Sequence, residues 1–227
     1  RIPRQRMFVV LILTFFSMLF WSFFEQAGSS INNFTDRNVD RVLEDGAITQ
    51  ADVGTVIQLQ PTQEQLGYYN GDRLFTMDVL NGLRDPRTSD TVAPIFGPRA
   101  KEATADFTIP WHVVESNVGM GVATRADELP ASVFQSVNPI YILLFGLVFT
   151  AIWSFLGARG WEPSTPFTFS LGLLQLGLGF GALWYGAQVA DARGMVGLGW
   201  LLVGYLLQTT GELCLSPVGL SMVTRLS

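Results

Sequence analysis

The stretch GMVGLGWLLVGYLLQTTGELCLSPVGLSMVTRLS closes the chain at Gly194–Ser227. From Gly194 to Thr224 its only charged residue is Glu212. A run of about 20 apolar residues is long enough to cross a lipid bilayer as a helix. This stretch therefore predicts a transmembrane helix that carries one carboxylate inside the membrane.

Three other apolar runs have the length of a membrane span and contain no charged residue. They are Met7–Phe24, Pro139–Leu156 and Phe169–Ala190. The alternative, buried helices of a large soluble core, is disfavoured because these runs have no polar face to present to water. The first run is also a poor signal peptide, since no small-residue cleavage site follows its long apolar part. The sequence predicts an α-helical membrane protein with four transmembrane helices.

The charges of the chain are concentrated in one segment. Residues 32–134 carry 8 Lys/Arg and 15 Asp/Glu, whereas the rest of the chain carries 6 Lys/Arg and 4 Asp/Glu. The segment has no basic patch, which argues against a nucleic-acid partner. Cys214 is the only cysteine and no metal-ligand cluster is apparent, so we expect no disulfide within the chain, no metal and no cofactor.

The cationic residues predict which side of the membrane each segment occupies. Arg1, Arg4 and Arg6 precede the first span, and positive residues next to short loops remain in the cytoplasm. Four spans return the chain to that side at Arg225. The acidic segment is therefore expected outside the cytoplasm.

The acidic segment is predicted to be rich in β-structure. DFTIPWHVV alternates apolar and polar residues as a half-buried strand does, and GTVIQLQP and RLFTMDVL are weaker strand candidates. YNGD and DPRTSD are typical of turns. In the apolar flanks, Gly177 and Gly181 form a small-xxx-small pair, which lets helix backbones approach closely in lipid.

Two carboxylates fall inside predicted spans. Glu212 lies about 20 Å along a helix from Arg225, and Glu25 about 28 Å from Arg6. An ionised carboxylate at the centre of a bilayer costs roughly 2.5–3.5 kcal/mol even on lenient scales, so both positions suggest function. Two alternatives remain open: Glu25 hydrated at the outer interface, and Glu212 in a structural ion pair with another helix.

Small and aromatic residues accompany both carboxylates at helical spacing. Trp21, Glu25, Gly28 and Ser29 are expected on one helical face, and Ser216 follows Glu212 by one turn. These neighbours suggest a pocket. No histidine occurs in any span and no base lies near the span hydroxyl and thiol groups, so enzyme chemistry is not expected.

One further polar residue precedes the second long run. Asn138 stands directly before Pro139, and from its position alone a helix cap is the better explanation.

Four stretches together resemble one family. FWSFFEQAGSS, PASVFQSVNPIYILL and GELCLSPVGLSMVTRLS are similar to helices seven, eight and ten of the proton-dependent oligopeptide transporters of the major facilitator superfamily, and GARGWEPSTPFTFSLGLLQLGLGF resembles the entry into helix nine. The similarity covers Met7–Phe34 and Ala131–Ser227. It implies a seventh helix in residues 1–34, an insertion in residues 35–130, and helices eight to ten in residues 131–227.

The resemblance also implies roles for individual residues. Glu212 matches the glutamate that meets the amino terminus of the peptide, and Asn138 an asparagine that binds its backbone. Trp21 and Ser216 match residues that line the substrate pocket, and Glu25 an acid linked to proton coupling. Phe167–Thr168 departs from the family pattern, in which a cationic residue often enters helix nine.

The implied function is proton-coupled symport of di- and tripeptides, driven by the proton gradient without a cofactor. The chain would supply part of the C-terminal half, and its partners would be peptides, protons, the lipid bilayer, six N-terminal helices and the last two helices of the same transporter. The alternatives are a membrane anchor that presents the acidic segment as a periplasmic binding module, and a family member that carries another solute.

Overall fold

The computed structural model describes residues 4–44, 46–84, 108–123, 128–161 and 163–226, and side chains within these ranges from residue 7 to residue 215. Two compact units make up the chain. The helical unit consists of Arg1–Val39 and Ala131–Ser227, and the insertion unit of Asp40–Pro130. Phe107 and the predicted turn DPRTSD lie outside the described residues.

The described residues of the helical unit form five α-helices. They are α1 (Arg4–Phe24), α2 (Ser30–Asn38), α4 (Val137–Ala158), α5 (Thr165–Gln188) and α6 (Leu198–Leu226). Among the described residues, three segments are long and apolar enough to cross a membrane: Met7–Asn38, Ala131–Ala158 and Thr165–Gln188. The fourth predicted span coincides with α6, and its crossing of the membrane stays a prediction.

The helix expected to continue through the first carboxylate is interrupted there. α1 ends at Phe24, and Glu25–Gly28 forms a 3-10 turn before α2 begins at Ser30. The Gln26 side chain accepts a hydrogen bond from Ser30 Oγ at 2.7 Å across this turn. The expectation that Trp21, Glu25, Gly28 and Ser29 share one face of a regular helix is therefore wrong, because a 3-10 turn advances by a different angle per residue.

Glycine pairs bring α5 and α6 together. A Cβ on Gly172 would lie 2.8 Å from the Gly211 carbonyl oxygen, and a Cβ on Gly179 would lie 3.0 Å from the Gly204 carbonyl oxygen. Because both pairs recur at a seven-residue interval on antiparallel helices, one seam of close backbone contact runs between them.

The seam does not use the glycines predicted from the sequence. A Cβ on Gly177 or Gly181 would meet nothing within 4 Å. The expectation that this pair forms the close approach is wrong, because these two residues lie on another face of α5. A cluster of Phe20, Phe24, Phe169, Leu176 and Leu215 packs α1 against the same two helices.

The insertion unit contains short antiparallel strands around an apolar core. Its strands are β1 (Gly46–Ala47), β2 (Val56–Leu59), β3 (Tyr69–Asn70), β4 (Arg73–Leu74), β5 (Ile109–His112) and β6 (Gly121–Val122). They pair β1 with β6, β2 with β5 and β3 with β4. The core holds Ile48, Leu59, Phe75, Leu80, Leu83, Ile109, Trp111, Val113 and Met120.

Two of the three predicted strands are present as expected. β5 buries Ile109 and Trp111 and exposes His112, and β2 pairs with it so that Ile57 faces Trp111. RLFTMDVL forms only the two residues of β4 and then begins α3 (Met77–Arg84). The strand prediction fails there because Leu80 and Leu83 recur at helical spacing and both enter the core.

One local motif occurs three times in the insertion unit. TQADVG (49–54), TQEQLG (62–67) and VESNVG (114–119) each form a 3-10 turn, and a glycine of positive φ lies two residues after its end, at 84°, 83° and 88°. In each copy the side chain of the fourth residue accepts the backbone N–H of the first. The sequence analysis did not detect this repeat, which an alignment of the segment with itself would reveal.

Candidate functional site

Two of the predicted substrate-binding residues come together in the helical unit. Asn138 lies in the first turn of α4 and Glu212 lies in α6, and their side chains are hydrogen bonded. Since an ionised carboxylate only accepts hydrogen bonds, the Asn138 amide is the donor. Asn138 therefore has a partner on another helix. The helix-cap role considered from sequence is wrong, because α4 begins at Val137 and Ser136 occupies the N-cap position.

This pair leaves two buried oxygen atoms unused. Neither Asn138 Oδ1 nor Glu212 Oε2 has a hydrogen-bond partner in the described part of the chain. Both atoms are acceptors, so the pair lacks donors and carries a negative charge when Glu212 is ionised. A cationic group with several N–H donors, such as a primary ammonium, complements both features.

The other predicted site residues make no described contact with this pair. Trp21 is 44% exposed and contacts the neighbouring rings of Phe20 and Phe24, with ring centroids at 5.6 and 5.5 Å. The Glu25 side chain is exposed, and the described contacts give it no hydrogen bond or ion pair. Nothing described joins either residue to Glu212. Ser216 lies within α6, but its side chain falls outside the described residues.

Sequence reasoning missed a buried amide beside this pair. Gln208 lies one helical turn before Glu212 and is 1% exposed, and neither Nε2 nor Oε1 has a partner among the described residues. The sequence signal was a polar residue inside an apolar run. The sequence analysis considered only the charged residue of that run, Glu212. Gln175 Nε2 also donates to Cys214 Sγ at 3.3 Å, again between α5 and α6.

A tight turn connects α5 to α6. Asp191 Oδ1 accepts the backbone N–H groups of Arg193 and Met195, both at 2.9 Å, and Oδ2 pairs with the Arg193 guanidinium at 2.7 Å. Partial burial raises the pKa of Asp191, but these hydrogen bonds and the cation outweigh it and the pKa lies below its usual value. These contacts order the turn from Asp191 to Met195, which precedes the start of α6 at Leu198.

Acidic groups also converge in the insertion unit. Carboxylate oxygens of Asp40, Glu44 and Glu64 lie within 4.8 Å of one another. The buried Glu64 already accepts the Gly121 backbone N–H at 3.0 Å. The sequence analysis predicted no metal ligands, and this group did not stand out because its members are separated along the chain.

Comparison with known proteins places the second half of the chain. Residues 119–227 match the family model described as the POT family. An uncharacterized transporter, YclF, of Bacillus subtilis is 43% identical over 100 residues, which are 44% of this chain and 20% of that protein. The dipeptide and tripeptide permease A of Erwinia pyrifoliae is 36% identical over 107 residues, or 47% of this chain and 20% of the permease.

A solved structure gives a similar result. A peptide transporter POT in complex with sulfate is 40% identical, covers 44% of this chain and 20% of its own, and superposes with a TM-score of 0.41. The match thus spans about a fifth of the length of these proteins. The family model covers α4, α5 and α6, whereas the resemblance of Met7–Phe34 stays a prediction.

Proposed function

We propose that the chain forms part of the C-terminal half of a proton-coupled symporter for di- and tripeptides, because residues 119–227 match the family model described as the POT family. The similarity to the dipeptide and tripeptide permease A of Erwinia pyrifoliae supports this substrate class. The matched region of the chain contains α4, α5 and α6. Six N-terminal helices and two final helices would complete the transporter.

The observation that carries the proposal is the acceptor pair of Asn138 and Glu212. A peptide offers an ammonium group at one end, with three N–H donors and a positive charge. Glu212 Oε2 and Asn138 Oδ1 are both available to it. A charge-assisted contact of this kind is about twice as strong as a neutral hydrogen bond, and the low dielectric of the site strengthens it.

Trp21 and Ser216 complete the proposed substrate site. The exposed ring of Trp21 supplies a flat apolar surface for a peptide side chain. Ser216 lies one helical turn beyond Glu212, where a hydroxyl group can donate or accept without adding charge. Neither residue specifies one peptide sequence, which suits a carrier of many di- and tripeptides.

Glu25 is proposed as the coupling residue. Its exposed carboxylate, on a turn between two helices, is available to a proton from the outer side and, in another state, to a cationic group of the transporter. A carboxylate that alternates between these partners biases a two-state equilibrium. The proton gradient, worth about 2.3 kcal/mol per charge per 100 mV, then supplies the energy without a cofactor.

The membrane in question would be the bacterial inner membrane, with the insertion unit in the periplasm. The arginines that precede the first span support this orientation, and the resemblance to the family supports the bacterial membrane. A pure membrane anchor for the insertion unit needs neither Glu25 nor Glu212 in its helices, which is why transport is the preferred function.

Substitution of Glu212 tests substrate binding. In the complete gene product, Glu212→Gln keeps the side-chain shape and removes the charge. Since losing one partner of a desolvated charge pair costs about 2–5 kcal/mol, the affinity for a dipeptide should fall more than tenfold. Acetylating the amino group of the peptide should weaken binding to the parent strongly and to the variant only slightly. Equal effects of acetylation on both proteins would mean that Glu212 does not recognise the ammonium.

Substitution of Glu25 separates coupling from binding. Glu25→Gln resembles the protonated side chain permanently. In proteoliposomes the variant should still exchange labelled for unlabelled peptide, because exchange needs no net proton movement. It should no longer accumulate peptide under an inward proton gradient. Accumulation equal to that of the parent protein would remove Glu25 from the coupling mechanism.

A further inference from the structure

The side chain of Gln208 is a fully buried amide whose hydrogen-bonding capacity is unused. Its exposure is 1%, and both Nε2 and Oε1 are without partners in the described part of the chain. Inside a bilayer no water compensates such a group, so each unsatisfied donor or acceptor lowers the stability of the fold. An apolar residue of similar length would avoid this cost, so the amide needs an explanation.

The seam between α5 and α6 leaves room for this side chain. A Cβ on Gly179 would lie 2.9 Å from Gln208 Cγ. Any residue other than glycine at position 179 would therefore push Gln208 out of its place. Close packing against Gly179 thus holds Gln208 Cγ, and no hydrogen bond within the described part of the chain fixes the amide beyond it.

The position of Gln208 brings it next to the proposed substrate site. Residues four apart on a helix lie about 6 Å apart along its axis and on nearly the same face. Gln208 and Glu212 have this spacing on α6. The unused donor Nε2 of Gln208 and the unused acceptor Oε2 of Glu212 are complementary, and a rotation of either side chain brings them together.

We propose that Gln208 is a positioning residue for the Glu212 carboxylate. Its amide nitrogen donates to Oε2 when the site takes up an ammonium group, while Asn138 holds the other oxygen. Each carboxylate oxygen keeps a second lone pair, so Oε2 still accepts from the substrate. Two amides on opposite sides fix the plane of the carboxylate. This inference rests on the function proposed above.

Direct contact between Gln208 and the peptide does not fit the structure. A side chain with 1% exposure, packed against Gly179, presents no surface to a ligand. Its effect must pass through Glu212, and it should therefore depend on the charge of the ligand. A residue that only holds two helices together would affect all ligands alike.

Two variants test the role of Gln208 in the complete gene product. Gln208→Met keeps the length of the side chain and removes the amide. Gly179→Ala keeps the amide but presses on Gln208 Cγ and on the Gly204 carbonyl oxygen. Gly177→Ala is the matched control, because the same substitution on the same helix meets nothing within 4 Å. The affinities of a dipeptide and of its N-acetylated form are measured for each protein, together with thermal unfolding in detergent.

Gln208→Met should lower the affinity for the free dipeptide by roughly tenfold, as expected for one hydrogen bond to a charged group. The affinity for the acetylated dipeptide should change less than twofold. Gly179→Ala should shift the same ratio in the same direction, and Gly177→Ala should match the parent. If Gln208→Met does not fold, the ratio measured for Gly179→Ala decides.

Two results would overturn the inference, and they are distinguishable. If the parent prefers the free dipeptide and Gln208→Met keeps that preference, Gln208 does not act through Glu212 and the proposed function survives. An equal loss for both ligands, together with a lower unfolding temperature, leads to the same conclusion. If the parent itself does not distinguish the two dipeptides, the ammonium site fails and the role of Gln208 fails with it.

Discussion

Asn117 and Gln208 are buried amides, one in each unit, and they differ in their hydrogen bonding. Asn117 Oδ1 accepts from Trp111 Nε1 at 3.3 Å and from the Val114 N–H at 2.8 Å, and Nδ2 donates to the Tyr69 carbonyl oxygen at 3.0 Å. By contrast, neither Nε2 nor Oε1 of Gln208 has a hydrogen-bond partner within the described residues. An amide satisfied on all sides fixes a fold, whereas an amide left unsatisfied is available for a partner.

The two units also achieve close packing by different means. The insertion unit packs a compact set of large side chains, with Trp111 and Phe75 in contact at a ring-centroid distance of 5.4 Å. The helical unit brings α5 and α6 together through glycines, where side chains are absent. In lipid there is little hydrophobic gain from burying more apolar surface, so close backbone approach takes over that role.

The strongest expected effect is the loss of the satisfied amide. Asn117→Leu would remove the hydrogen-bond partner of the buried Trp111 N–H and of the partly buried Val114 N–H and Tyr69 carbonyl oxygen, which should destabilise the insertion unit by on the order of 3 kcal/mol. Urea-dependent proteolysis of the insertion unit measures this effect. Ser116→Ala, an exposed change in the same turn, should leave the midpoint unchanged. Similar midpoints for the two variants would contradict the contrast with Gln208.

A side chain in the glycine seam should have the next largest effect. Gly172→Val would place atoms against the Gly211 carbonyl oxygen and should cost about 1–3 kcal/mol through overpacking. Gly181→Val adds the same group on the same helix where nothing lies within 4 Å. Thermal unfolding in detergent should separate the two variants. If both lower the unfolding temperature equally, helix propensity explains the effect and the seam does not.

A smaller, pH-dependent effect should distinguish the copies of the repeated turn. Hydrogen bonds from the Thr49 side chain and backbone N–H lower the pKa of Asp52. Because this pKa is lower in the folded state than in the unfolded state, the stabilisation is present at neutral pH and disappears as the pH falls through the lowered value. Asp52→Asn should therefore be less stable than the parent at neutral pH and equally stable in acid.

The second copy provides the control for that experiment. Gln65 occupies the position of Asp52 and has no charge, and it accepts the Thr62 N–H at 2.7 Å. The cost of Gln65→Ala should not vary over the same pH range. A pH-dependent cost for Gln65→Ala would show that another group titrates in this unit.

The smallest effect on transport is expected from removal of the insertion itself. Val42 and Glu128 form an antiparallel bridge, and Arg41 pairs with Glu128 at 3.1 Å, so the chain enters and leaves the unit at adjacent points. Replacing residues 43–127 with a short Gly/Ser linker should keep this junction and leave peptide uptake largely intact. Loss of uptake at normal membrane expression would show that the insertion contributes to transport.

The sequence alone located the helices and the charged groups of the proposed site. Long runs without charge predict membrane helices because the requirement depends on length and composition, which neighbours in space do not alter. Glu212 was recognisable as a buried carboxylate for the same reason. The resemblance to a family then suggested Asn138, whose position alone favoured a helix cap.

Only the tertiary structure decided which residues meet. The Asn138–Glu212 bond joins two helices that are far apart in sequence, and the seam uses Gly172 and Gly179 where the local pattern favoured Gly177. A spacing rule says that two residues share a face, but the helix that covers that face depends on the whole fold. The unused amide of Gln208 is visible only there, because an unsatisfied group is defined by all the atoms around it.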